Sequence, residues 1–244
     1  MVIYRSNFIG DIVSSLSWGI FSVISILILT SRVVSVFSWT RLELLTLTAV
    51  YSVIVGIFHI VSTPNFSRYA QQIHWGDFDF ILLKPIDAQF LLGFRLFNYS
   101  GIIRVVLGLL LVLYLLFLQN ISIVIINILL FLISTIGSYI LLYSLWSLIM
   151  TATIWFTRLY NLDELMFTIM GTGRYPKEMI EEIRNFLVIF LLPITYVVTT
   201  PTKILLHRES LNDYVLLFAV GIGLFIMQRK FWKFALKYYT SASS

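Results

Sequence analysis

Long apolar runs dominate this chain and dictate the solvent it folds in. Residues 12–31, 44–61, 100–118, 121–155, 185–200 and 213–231 are each strongly apolar, and of these only 100–118 (Arg104) and 213–231 (Asp213, Arg229, Lys230) carry charge. A helix needs about 20 mostly apolar residues to cross the hydrocarbon core of a bilayer. Only 12% of the 244 residues are charged and 59% are hydrophobic, against about 25% charged in soluble domains. The expected fold is therefore an all-α integral membrane protein, a single transmembrane domain over 1–244 with six transmembrane helices.

Two of the runs leave alternatives open. Residues 121–155 are too long for one upright helix, so the run is either a long tilted helix or one that bends near Gly137. Hydropathy alone makes 185–200 the fifth crossing, interrupted by Pro193. The alternative puts that crossing at 158–175, despite Asp163 and Glu164, and makes 176–203 a helical hairpin dipping in from outside. Irregular backbone at such depth needs protein or a cavity around it.

Lys and Arg in short loops set orientation. With the N-terminus inside, Arg5, Arg68, Lys84, Arg95, Arg229, Lys230, Lys233 and Lys237 fall on the cytoplasmic side. Arg32, Arg41, Lys203 and Arg208 fall outside, so the bias favours both termini in the cytoplasm. Arg104 is expected to snorkel to the cytoplasmic side. Trp18, Trp39, Trp155 and Trp232 lie near run ends, where amphipathic rings sit. The first run is long and no small-residue cleavage site follows it, so no cleaved signal peptide is expected.

The sequence also narrows the chemistry. The net charge of +5 is dispersed along the chain, which fits lipid headgroups and orientation and gives no nucleic-acid footprint. There is no cysteine, so disulfides, thiolate metal sites and cysteine nucleophiles are excluded. No G-x-x-x-x-G-K-[ST] phosphate loop and no H-E-x-x-H metal spacing occurs. His59, His74 and His207 are scattered and read as interfacial or packing residues. Gly171-x-Gly173 and Gly221-x-Gly223 read as packing positions. Asp11, Arg104 and Asp213 stand at run ends, where charge is tolerated, so no proton-coupled carrier and no membrane protease is indicated. The expectation is no catalytic residue, no metal and no cofactor in this chain.

A protein with no energy source of its own can borrow one. Residues 66–83 interleave Phe66, Ala70, Ile73, Trp75, Phe78, Phe80 and Ile81 with Arg68, Gln71, Gln72, His74, Asp77 and Asp79. The spacing is helical up to Gly76, and Pro85 ends the element. Such a segment can be a surface helix that receives motion from a soluble motor. It can equally be an interfacial helix that only anchors a loop.

Three motifs bear on that choice. "GDFDFILLKP" resembles the G-x-L-D-x-x-L-L-[KR]-P signature that follows the second span in type-2 ABC export permeases. Gly76, Asp79, Leu82, Leu83, Lys84 and Pro85 fit, with Phe78 in place of leucine. "RYPKEMIEEIRNFLVIFLLPITYVVTTP" is similar to the family's Y-P…I…R…L…P…P pattern, through Tyr175, Pro176, Ile180, Arg184, Pro193 and Pro201. "FWKFALKYYTSASS" resembles F-W…G-L-R-x-Y-x-S-A-S; Phe231, Trp232, Leu236, Lys237, Tyr239, Ser241, Ala242 and Ser243 fit, and Ala235 replaces the glycine. The short N-terminus departs from the family, where more residues often precede the first span.

The resemblance implies a six-span ABC-2-type permease half in the bacterial cytoplasmic membrane, paired with a second, related half. Each half docks on a separate P-loop ATPase, which binds ATP and Mg²⁺ and forms a dimer. It implies that 66–90 is a cytoplasmic coupling helix region, with Trp75, Gly76, Asp77, Phe78, Asp79, Phe80, Leu83, Lys84 and Pro85 at the partner contact. It further implies that 176–203, with Tyr175, Pro176, Arg184, Pro193 and Pro201, is an outer re-entrant helical hairpin, and that 158–175 is the fifth span. The cargo expected is amphipathic or lipophilic: a drug, a peptide antibiotic or a glycolipid. The rival reading is a non-transporting scaffold, immunity or sensory subunit that still binds an ATPase.

Overall fold

A computed structural model describes residues 10, 13–14, 17, 19–21, 23–28, 35–156, 162–181, 188–208 and 210–239. Of the expected first span, 12–31, residues 13–14, 17, 19–21 and 23–28 are described and helical; Arg184 and the tail from Thr240 onward lie outside the described residues.

A two-stranded hairpin, β1 (Ser35–Val36) and β2 (Trp39–Thr40), leads into α1 (Arg41–Val61). The start of α1 is fixed by a reciprocal cap. Thr40 Oγ1 accepts from the Glu43 N–H at 3.3 Å, and the Glu43 carboxylate accepts from the Thr40 N–H at 2.7 Å. Two of the orphan donors at the helix start are thereby satisfied. Then follow α2 (Thr63–Trp75), α3 (Asp79–Leu82), α4 (Ala88–Phe94), α5 (Gly101–Leu118) and α6 (Ile125–Thr151). The chain continues through α7 (Leu162–Gly171), α8 (Lys177–Glu181), α9 (Val188–Leu205) and α10 (Leu211–Ala235).

Among the described residues, four helices are long and apolar enough to cross a membrane: 41–61, 101–118, 125–154 and 211–238. Their outward faces carry exposed Leu110, Leu113, Phe117, Leu132, Ile136, Ile222 and Ile226. In water these rows would be a severe liability; against lipid chains they are the matching surface. Within the 121–155 run, α6 is helical over 27 residues and ends in a short 3₁₀ turn, with no break at Gly137. Gly137 instead makes room for a neighbour: a Cβ there would stand 2.9 Å from the Phe218 ring of α10. The α1–α5 contact is close for the same reason, since a Cβ on Gly108 would stand 2.8 Å from the Val53 side chain. Without a hydrophobic drive between helices in lipid, such close backbone approach supplies the packing energy.

Of the expected crossing at 158–175, the described residues are 162–175. Residues 157–161 are outside the described residues, and α7 covers ten residues, about 15 Å of rise. A 3₁₀ turn, Thr172–Arg174, follows, and Tyr175 is extended at ψ 144. Pro176 accounts for the stop, because it disfavours helical backbone at the preceding residue.

The 185–200 run lies mostly in α9, which carries both Pro193 and Pro201 inside it. Pro201 has no N–H to give to the carbonyl four residues back, which is that of Val197. Ser138 of α6 fills this vacancy: its Oγ donates to the Val197 carbonyl at 2.6 Å. Both Ser138 and Val197 are buried. A neighbouring helix thus satisfies the acceptor that the proline leaves open, as an apolar interior requires.

Candidate functional site

Two ends of the bundle carry the polar chemistry. At one end α8, α9 and α10 meet around Asp213, which is 4% exposed. The Lys177 ammonium lies 2.5 Å from one of its carboxylate oxygens and that of Lys203 3.0 Å from the other. Lys203 also pairs with Glu178 at 2.6 Å, and Glu178 accepts from the Trp39 indole N–H at 3.1 Å. Arg208 stacks over the Trp39 ring and pairs with Glu43 at 3.0 Å. Burial pulls the Lys177 ammonium down, but its hydrogen bond to Asp213 and the neighbouring acidic charges leave it above its ordinary value. Asp213 was expected to sit at a run end where water is near; it is enclosed, and two lysines replace its hydration. Tyr175 and Pro176 lead from α7 into α8, and α8 lies along the C-terminal half of α9 through a Lys177 N–H to Thr199 hydrogen bond of 3.2 Å.

At the opposite end the segment from Thr63 to Ser100 folds against α1, α6 and α10. α2 stops at Gly76, whose φ of 81 is the left-handed conformation that glycine adopts without strain. The short α3 ends just before Lys84-Pro85, as the proline dictates. Asp87 then caps α4, accepting from the Phe90 N–H at 3.0 Å. Buried Asn65 closes the loop: its Oδ1 accepts from the Arg95 and Leu96 N–H groups, and its Nδ2 donates to the Leu96 carbonyl.

This segment is fastened from within at two points. The first is aromatic. Phe78 is fully buried, packed edge to face against Tyr69, Trp232 and Tyr239 at centroid distances of 5.8, 6.0 and 4.9 Å. Burial pushes the Tyr239 hydroxyl up to about 12, and Asp79 beside it adds to the rise. The second is polar. Arg229 of α10 grips the Asp87 carboxylate with both terminal nitrogens and donates to Gln89 Oε1 at 2.6 Å. Gln89 in turn donates to Gln228 of α10 and to Ser147 of α6. The guanidinium holds the Asp87 carboxyl at about 2.

What remains outside is a coherent surface. Trp75, Phe80 and Leu83 are exposed by 70, 69 and 80%. Asp77, Lys84 and Pro85 are exposed with them. Of the residues expected at a partner contact, Phe78 therefore takes a different place: it points inward and anchors the segment, while Phe80 points out. On the turn into the short α3 the two rings face opposite ways. Gln89, Gln228 and Ser147 were not singled out in the sequence. The available signal was a glutamine and an arginine inside the last apolar run, at its C-terminal end beside Lys230 and Lys233.

A sequence profile described as ABC-2 family transporter protein matches residues 16–243. The chain belongs to that family. No curated protein and no solved structure matches it. As an ABC-2 permease it is a membrane subunit of the kind that works with an ATPase subunit. The Thr63–Ser100 segment and the Asp213 cluster are thus opposite ends of an ABC-2 permease. Arg104 stands in the first turn of α5, with its stem against Gly56 of α1.

Proposed function

We propose that this ABC-2 permease is half of the translocation pathway of an ATP-driven exporter, and that residues 66–90 are its coupling element. The observation that carries the reading is the anchored surface just described. Trp75, Phe80, Leu83, Asp77 and Lys84 face outward, while Phe78, Asp87 and Gln89 fasten the same segment to α10 and α6. A docking surface that transmits force needs both properties. An exposed apolar row gives a partner something to grip, and rigid attachment passes its movement on.

In this mechanism the surface seats in a groove of a P-loop ATPase at the cytoplasmic side. ATP binding closes the ATPase dimer and draws the two permease halves' segments together. Asp87 and Gln89 pull on α10 through Arg229 and Gln228, and Phe78 pulls on it through Trp232. The halves tilt, a path opens outward, and hydrolysis resets them. The chain itself performs no covalent chemistry. The partner half is a related permease, both termini face the cytoplasm, and 176–203 forms an outer helical hairpin braced by the Asp213 cluster. The cargo is an amphipathic or lipophilic molecule, in keeping with spans rich in Leu, Ile and Phe.

The test is gentle purification of the chain, expressed with the ATPase encoded beside it. Recovery of a complex that hydrolyses ATP is the expected result. Asp79→Lys and Lys84→Glu should lower transport and ATPase rate without loss of folding. Normal transport by both variants, or a folded chain that retains no ATPase, would overturn the reading.

A further inference from the structure

α10 is longer than the hydrocarbon it crosses. It covers 25 residues and runs on into a 3₁₀ turn, Leu236–Tyr238. At 1.5 Å per residue the α-helical part alone is about 37 Å long, against about 30 Å for the hydrocarbon core. Lys230 stands about 28 Å along the axis from Leu211, at the far edge of that core, and Lys233 and Lys237 lie beyond it.

One face of α10 carries a continuous outward row. Val215, Ala219, Ile222 and Ile226 are exposed and recur at helical spacing, so they share one apolar side of the helix. The same row continues into Lys230, Lys233 and Lys237, all three exposed. None of their ammonium groups pairs with a carboxylate among the described residues. The opposite face is the fastened one. Gln228 and Trp232 are buried there, the first on Gln89 and the second against Phe78. The lysines therefore extend the lipid-facing row and point away from the docking segment.

An aromatic cluster lies beside them. The Trp155 ring stands 5.5, 6.2 and 6.2 Å from the rings of Phe231, Phe234 and Tyr238, and Trp155, Phe234 and Tyr238 are exposed. Tryptophan and tyrosine rings gather at the membrane–water interface, so the cluster marks the headgroup level independently of helix length. Lysine stems at that level lie along the acyl chains and lift their charge to the lipid phosphates. A zwitterionic headgroup offsets its phosphate with a cation of its own. An anionic headgroup keeps a net negative charge, which basic residues at the end of a span attract.

We propose that Lys230, Lys233 and Lys237, with the Trp155 cluster beside them, bind the headgroup of an anionic phospholipid. The position of this site has a consequence. The lipid holds the outer side of the same turns of α10 whose inner side fastens the docking segment, through Arg229 to Asp87 and through Trp232 to Phe78. Lipid charge thereby steadies the element on which the ATPase acts. This second step rests on the proposed coupling, whereas the lipid site itself does not.

The experiment uses the complete permease–ATPase complex in phosphatidylcholine nanodiscs that contain a trace of photoactivatable phosphatidylglycerol, with the labelled peptides mapped by mass spectrometry. Labelling within residues 227–239 is expected. Unlabelled phosphatidylglycerol should suppress it at a mole fraction at least tenfold below that required of phosphatidylethanolamine. Lys230→Gln, Lys233→Gln and Lys237→Gln together should cut labelling at least fivefold with an unchanged unfolding midpoint. Arg41→Gln, exposed at the other end of the bundle, should leave it intact. If the triple variant fails to fold, Lys233→Glu decides the matter by cutting labelling at least twofold. Equal suppression by the two lipids, or full labelling of the lysine variants, overturns the site. Loss of the ATPase from the triple variant with labelling retained would show that a protein covers this face, and overturns it too. ATP hydrolysis is read in the same nanodiscs with and without one-third phosphatidylglycerol. At least a twofold rise is expected in the parent complex and none in the triple variant. Lysine-dependent labelling with an unchanged rate refutes the regulatory step and leaves the lipid site standing. A parent chain that retains no ATPase refutes the coupling reading instead, and the labelling result still decides the site.

Discussion

Phe78 and Trp232 meet edge to face, their ring centroids 6.0 Å apart at an interplanar angle of 88°. One ring comes from the turn before α3, the other from the end of α10, so the contact ties the outward-facing segment to the last span. Phe78→Ala should destabilise the protein by about 3–5 kcal/mol, the usual cost of emptying a fully buried phenylalanine site. Phe80→Ala, with its ring 69% exposed, should change stability by less than about 0.5 kcal/mol and yet release the ATPase. Thermal unfolding in detergent and the amount of ATPase recovered separate the two roles. Equal effects of both variants on both readouts would contradict the division into anchor and docking residue.

Ser138 and Pro201 are linked through the Val197 carbonyl. Ser138→Ala should cost about 1–3 kcal/mol, because it strands a buried acceptor. Pro201→Ala restores the helix's own N–H, so in that background Ser138→Ala should cost markedly less. A double-mutant cycle by chemical unfolding measures the coupling. Additive effects would mean that Ser138 contributes only its packing volume.

The Asp213 cluster is a set of buried charges, and its response to change depends on what is left behind. Asp213→Ala removes the carboxylate that the two lysines share, leaving Lys203 only Glu178 and Lys177 only Glu181, and should destabilise by up to about 3–5 kcal/mol. Replacing the three together, Asp213→Leu with Lys177→Met and Lys203→Met, should recover most of that loss, since apolar replacement of a complete buried set is commonly neutral. Glu178 keeps the Trp39 indole as its partner in the triple variant. Unfolding midpoints of the two variants give the comparison.

Asp87 gives the pH dependence. Its folded carboxyl is held at about 2, below its ordinary 3.8. The stabilisation from its pairing with Arg229 is therefore complete above about pH 4 and is lost as pH falls through about 2. The Asp87 side chain is 43% exposed, so screening limits the contribution to about 1 kcal/mol or less. Asp87→Asn should flatten the acid limb of the stability curve between pH 4 and pH 2 and leave its shape above pH 5 unchanged. An acid limb identical to that of the parent protein would show that the Arg229 grip contributes nothing measurable.

Local chemistry, legible in the sequence, explains much of the protein. Runs of about 20 apolar residues mark helices that need lipid, and α1, α5 and α10 begin and end within a few residues of their runs. Gly76 and Lys84-Pro85 mark where α2 and α3 stop, because left-handed backbone and the residue before proline are constrained whatever surrounds them. The "GDFDFILLKP" signature spans those same turns, where backbone geometry restricts residue choice.

Placement across the fold lay beyond the sequence. Phe78 and Phe80 look equivalent in "GDFDF", and only the turn between α2 and α3 sends one ring inward and the other out. Asp213 looks like an ordinary run-end charge. Only packing encloses it between two lysines from α8 and α9. The physical reason is one of range. Hydropathy, proline and glycine act on a residue and its nearest neighbours along the chain, whereas burial and charge pairing depend on which distant helices come to lie alongside.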